Sequence, residues 1–194
     1  MKPLSFLSLC AGLACVLIAL PALAQDVAAL TAETKKAVLP VVPKVVGAMQ
    51  KAVAEKGVVE AIPVCKDTAP KLIQEVRDST GWSIKRVSSK ARNPERATPD
   101  AWESATLAEL EQKLAAGTKA DALEKGEIVE EGGKTYFRYA KALPAGEGCL
   151  SCHGPAENLD PALKAKLKEV YPNDQATGYH LGQIRGILSV KRPL

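Results

Sequence analysis

The segment GEGCLSCHGP places Cys149, Cys152 and His153 within five consecutive positions. Two thiols so spaced, with an imidazole directly behind the second, suit three chemistries: a redox dithiol, half of a zinc site, or covalent attachment of a c-type haem. A thioredoxin-like dithiol opens a long helix in a βαβ context. Here proline and glycines surround the pair and no βαβ pattern precedes it. Structural zinc takes four ligands, usually as two paired halves, yet outside the motif and the leader only Cys65 and His180 remain. Haem fits best. Each thiol adds to one vinyl group, and the histidine behind them is held beneath the iron as its proximal ligand. The expectation is therefore one covalent haem c, anchored by Cys149 and Cys152 and ligated by His153.

The N-terminus agrees with that choice. Lys2 precedes an apolar run from Leu4 to Leu20 that ends in PALAQD, with Ala22 and Ala24 at the small-residue positions of a cleavage site. Residues 1–24 read as a cleaved signal peptide and 25–194 as the mature domain, periplasmic or otherwise exported. A proline ends the run and no positively charged stop follows, so no stable membrane insertion is expected after cleavage. Cys10 and Cys15 leave with the leader. Three cysteines remain, Cys65, Cys149 and Cys152, and an odd thiol in an exported chain asks for a use.

The formal net charge of +4 is too small to imply a nucleic-acid partner. Aromatic residues make up only 4% of the chain, so a large planar apolar cofactor would fill volume that side chains leave open. A mature chain of roughly 170 residues suits one domain.

The elements that must position the motif follow from periodicity. Asp26 to Lys56 is helical, with a break near Pro40 and Pro43. After Gly57, apolar residues at Val58, Ile62, Cys65, Ala69, Leu72 and Val76 mark one helical face, which turns Cys65 inward. Trp82 to Ser88 alternates as a half-buried strand, and RNPERATPD reads as a loop ending in an N-cap at Thr98, with a helix running on to Gly117. EIVEEGGKTYFRYAKAL is a hairpin around Gly132 and Gly133. A short helix over Pro161 to Val170, a polar turn at YPNDQATG and a last strand from Ile184 to Lys191 complete an α+β fold, an antiparallel sheet of about four strands with packed helices.

The haem motif stands late in the chain, a strand follows it and no methionine does, which suits neither small cytochromes c nor all-helical cytochromes c′. Four stretches together resemble another family: AIPVCKDTAP around Cys65, IKRVSSKARNPERATPDAWE from Ile84 to Glu103, CLSCHG, and YPNDQATGYHLGQIRGILSV from Tyr171 to Val190. That family comprises exported c-type haem proteins with a PAS-like α+β fold, grouped as a domain of unknown function. The resemblance implies a PAS-like fold here and a His/Cys pair of axial ligands, carried over to His153 and Cys65. Taken alone, a cysteine in an apolar stripe is ordinarily an inert core residue. Two features point the other way: it is the thiol left over, and Pro70 clashes with the carbonyl of Lys66, so the helix must kink or end beside it.

His180 is the rival distal ligand, although GYHLGQ reads as a surface segment; Met49 as ligand, or an iron left open on its distal side, ranks behind it. Haem propionates need cations or hydrogen-bond donors. Arg92 in the ARNPER loop is the first choice, then Arg86 and Arg138, with Arg185 behind them; each is equally readable as a solvated surface charge. Two axial protein ligands favour redox or electron transfer with a partner protein. The alternative is a haem-based sensor of redox state or of a diatomic gas that signals to another protein. A peroxidase-like enzyme, which needs an acid or base group beside an open iron, and a purely structural haem module rank below both.

Overall fold

The computed structural model describes residues 26–194, so the leader with Cys10 and Cys15 lies outside the described residues. Asp26 caps α1 (Val27–Val38) by accepting from the N–H of Ala28. A break at Leu39–Pro40 leads into α2 (Val41–Glu60), where Pro43 stands in the first turn and has no helical N–H to lose. Gly57, at φ 83°, interrupts α2 near its end. By length and composition Val27–Glu60 would suffice to cross a membrane, but both breaks fall within it, and α1 packs Leu30 and Val38 into the core of the sheet.

The kink expected at Pro70 takes the form of a π-helical turn over Val64–Thr68, with Cys65 inside it, ahead of α3 (Ala69–Thr80). A wider turn removes the clash between the proline ring and the preceding carbonyls, and such turns are frequent at functional sites. β1 (Ser83–Val87) follows, then a short helix, α4 (Pro94–Ala97), inside the expected loop.

The cap of α5 (Ala101–Ala115) is Asp100 and not Thr98. Asp100 and Glu103 form a reciprocal capping box, satisfying two backbone donors at once, while the Thr98 hydroxyl donates to the carbonyl of Pro94 at the end of α4.

β2 (Glu124–Glu131) and β3 (Lys134–Pro144) form the hairpin. Its turn holds Gly132 at φ 60° and Gly133 at φ 72°, values that side-chain-bearing residues rarely adopt. After α6 (Glu147–His153) and α7 (Pro161–Val170), β4 (Ile184–Pro193) inserts between β1 and β3. The sheet is four-stranded and antiparallel, in the order β1-β4-β3-β2.

Both faces are covered. Ile84, Phe137, Tyr139, Leu188 and Val190 pack against α1 and α3, while Val87, Ala140, Ala142 and Ile187 pack against Leu107 and Leu110 of α5. Two smaller clusters lie where α6 and α7 meet the rest: Ile62 with Leu163, Leu167 and Tyr171, and Ala145 with Ala176 and Tyr179. Cys152 packs on the first and Cys149 on the second. The motif is thus held at the junction of helices and sheet.

Candidate haem site

α6 is a two-turn helix whose sequence is almost entirely the motif. Gly146 caps it, Glu147 in its first turn complements the helix dipole, and Gly154 ends it with its N–H on the carbonyl of Leu150. A Cβ on Gly154 would stand 2.6 Å from that same carbonyl oxygen, so the stop directly behind His153 requires glycine. Helical geometry puts Cys149, Cys152 and His153, at i, i+3 and i+4, on one face.

His153 is buried. Its Nδ1 lies 2.7 Å from the carbonyl oxygen of Ala176. A carbonyl only accepts, so Nδ1 carries the proton and Nε2 the lone pair. That lone pair accepts from Arg185 Nη1 at 3.0 Å. Burial, reinforced by Arg185 and Arg92, holds the imidazole well below the ordinary histidine pKa, so it is neutral, the form that ligates a metal. Tyr179 stands edge-on to the ring, its centroid 6.4 Å away, and its hydroxyl shares a hydrogen bond with Ser88.

Cys65 and Cys152 line one cleft together with Met49, Ile62, Arg92 and Tyr171. The cleft is narrow and partly open to solvent, so a haem seated in it would require its walls to part. Burial raises the Cys65 thiol; Arg92, Arg185 and Arg86 oppose that rise. Burial and the adjacent Cys65 push the Tyr171 phenol up to about 12.

Arg86, Arg92 and Arg185 are gathered here, but they are not equivalent. Arg92 is spent on protein partners: Nε to Asp174 Oδ2 at 3.0 Å and Nη2 to the carbonyl of Cys152 at 2.6 Å. Arg86 donates Nη2 to the carbonyl of Arg185 at 2.9 Å and leaves a buried Nε without a partner. Burial and neighbouring Arg185 push its guanidinium down to about 9, still a cation at neutral pH. Arg185 is lowered chiefly by burial, and its side chain donates to His153.

Two expected site residues fall elsewhere. Arg138 lies under α5, with Nη2 on Asp100 and Nη1 on Glu131, each at 2.8 Å, and Glu103 at 3.5 Å, its guanidinium stacked on Trp102. Its charge is already matched by carboxylates. His180 has an exposed side chain, and it is the backbone N–H of this residue that is bonded, to Gln183 Oε1. The structure also brings in residues that the sequence did not single out, Asp174, Tyr171 and Tyr179, and moves Arg185 from last to first. Their signal is the stretch from Tyr171 to Arg185, which carries the family resemblance but whose polar and aromatic residues otherwise read as a turn and a surface segment.

The donor set suits a haem. Two thiols and a lone-pair-bearing imidazole share a helix face, a further thiol lines the cleft of one of them, and cations with unmet bonding capacity flank them. Among the described residues no group of three His, Cys, Asp or Glu side chains is arranged to hold a metal ion alone. These features define the class: an α+β protein whose thiols, imidazole and arginines are of the types that suit a haem. The chain belongs to the Tll0287-like family, whose model matches residues 21–193. Its fold is similar to that in the crystal structure of the cyanobacterial heme-protein Tll0287, with a TM-score of 0.65, 23% identity, and coverage of 85% of this chain and 95% of that one. At that identity the likeness is one of fold. The family resemblance drawn from the motifs is thus borne out as a relation to haem proteins. No curated protein matches the chain.

Proposed function

We propose that this protein is an exported carrier of one covalent haem c, with a PAS-like fold, that exchanges electrons with a partner protein. The carrying observation is the placement of Cys149, Cys152 and His153 on one face of α6, with the His153 proton fixed on Nδ1 so that Nε2 is left to ligate. Cys149 and Cys152 would hold the haem by thioether bonds, and His153 and Cys65 would ligate its iron. When bound, the haem supplies a one-electron iron couple. Arg86 and Arg185 are the propionate partners, because their bonding capacity is not met by carboxylates of the chain. Arg185 donates to the same lone pair that the iron needs, so the two compete for His153.

The Cys65 thiol is raised by burial, and to ligate the iron it would have to give up its proton. A closed site with two protein ligands favours electron transfer over catalysis.

One observation favours sensing as a second reading: Met49 and Cys65 line the same cleft, and Cys65 sits in a π turn. Met49 would offer a neutral thioether beside Cys65 as an alternative ligand when the iron is reduced.

An anaerobic spectroscopic titration of the exported protein, with and without carbon monoxide, separates the readings. Unchanged bands in the reduced protein support the electron carrier. A shifted band on adding the gas supports a sensor.

A further inference from the structure

Asp174 to Tyr179 belongs to no helix or strand, yet it carries the carbonyl that fixes the His153 proton. A segment without regular structure is ordered only by specific bonds, and here those bonds converge on two side chains. Asp174 Oδ1 accepts the N–H of Ala176 at 2.8 Å, and its Oδ2 accepts from Arg92 Nε at 3.0 Å. Arg92 Nη2 donates to the carbonyl of Cys152 at 2.6 Å and reaches that of Ala176 at 3.5 Å. One ion pair therefore touches both the residue before His153 and the residue that receives its Nδ1 proton.

Backbone bonds complete the frame. Tyr179 N–H donates to the carbonyl of His153 at 2.9 Å, Gly178 to that of Gly154 at 2.8 Å, and Gln175 to that of Ala91, next to Arg92, at 3.0 Å. The pair is largely buried, its side chains only 8% and 11% exposed, so water does not substitute readily for either partner.

We infer that Asp174 and Arg92 are positioning residues for the proximal histidine: together they hold the Ala176 carbonyl against His153 Nδ1–H. This rests on the proximal role proposed above. An outer hydrogen bond fixes a ligating imidazole's tautomer and raises its basicity, and a more basic ligand stabilises the ferric state. Loosening the carbonyl weakens that donation and raises the reduction potential.

The test uses the full-length, exported, haem-loaded protein with Asp174→Ala, Asp174→Asn and Arg92→Gln. Two quantities are read: the midpoint potential and the solvent exchange of the His153 ring N–H. Asp174→Ala and Arg92→Gln are both expected to raise the potential and to speed exchange by about fivefold, the factor for one ordinary hydrogen bond. Asp174→Asn keeps an acceptor for the Ala176 N–H, so it shows a smaller change of the same sign and carries the test if Asp174→Ala does not fold. Potentials that move in opposite directions, up for the lost anion and down for the lost cation, with unchanged exchange, would mean the charges act only through space and overturn the inference. So would no change in either quantity. Wild-type protein exported without attached haem contradicts the haem reading itself, a failure distinct from both.

Discussion

Two regions of this molecule each gather arginines, and they treat them in opposite ways. Under α5, Arg138 meets Asp100, Glu103 and Glu131, and Glu103 in turn takes Lys85 and Ser189. Beside α6, Arg86 and Arg185 have protein carbonyl or imidazole partners but no carboxylate, and only Arg92 has one. Neighbours in β1 show the divide: Lys85 goes to Glu103, while Arg86, on the opposite side of the strand, goes to the cationic group. Both regions leave a buried guanidinium Nε unpaired, so an unmet donor alone does not mark a site. What separates them is charge balance. Partly buried cations that the chain leaves unmatched carry a desolvation cost, and a bound group with acidic tails would offset it.

Unbalancing the matched region should have the largest effect. Arg138→Met leaves three carboxylates without their shared cation and is expected to cost about 3 kcal/mol of stability in chemical denaturation, with the haem spectrum unchanged. The same region contributes to the acid limit. Asp100 is held below its ordinary pKa: burial opposes this, but the N–H of Glu103 and the Arg138 guanidinium outweigh it. Glu131 is held down first by Lys191 and then by Arg138. Depressed carboxylates bind fewer protons folded than unfolded, so their contribution is full above about pH 5 and is lost as the pH falls through and below about 4. Thermal melts across that range check it.

Within the cationic region, Cys65→Ser would remove the proposed thiolate ligand. It is expected to raise the potential and alter the ferric spectrum while the haem stays attached through Cys149 and Cys152. An unchanged spectrum and potential would return Cys65 to the role of an ordinary core thiol.

Arg86→Met is the counterpart of Arg138→Met on the unmatched side. In a haem-free Cys149→Ala/Cys152→Ala background it should leave stability unchanged or raise it by about 1 kcal/mol, because a partly buried, unmatched cation is exchanged for an apolar side chain. A loss comparable to that of Arg138→Met would place both arginines in one structural class. The smallest effect is expected for His180→Ala, which should leave the absorption spectrum as it is at neutral pH.

Much of this was legible from local chemistry. Sheet, hairpin and helices follow from periodicity and turn residues, and the break beside Cys65 follows from the Pro70 ring. The cap of α5 was misplaced because Thr98 and Asp100 are both good caps; the reciprocal bond of Glu103 decides between them. The arginines were the least legible. Arg138 finds Asp100 38 residues away and Glu131 on the adjoining strand. Arg92 finds Asp174 82 residues away. Which arginines are matched depends on where distant carboxylates fold, and no local pattern carries that. Loop position made Arg92 the first choice for a propionate, whereas folding pairs it with Asp174 and sets Arg185 beside the imidazole.

Everything proposed for the cationic region depends on α6 being the attachment helix of a covalent haem. That is read from the mass of the exported protein under denaturing conditions that strip any haem held by axial ligation alone. The expected mass is that of the mature chain plus one haem, with the bare chain mass for the Cys149→Ala/Cys152→Ala variant. A bare chain mass for the unaltered exported protein would contradict covalent attachment.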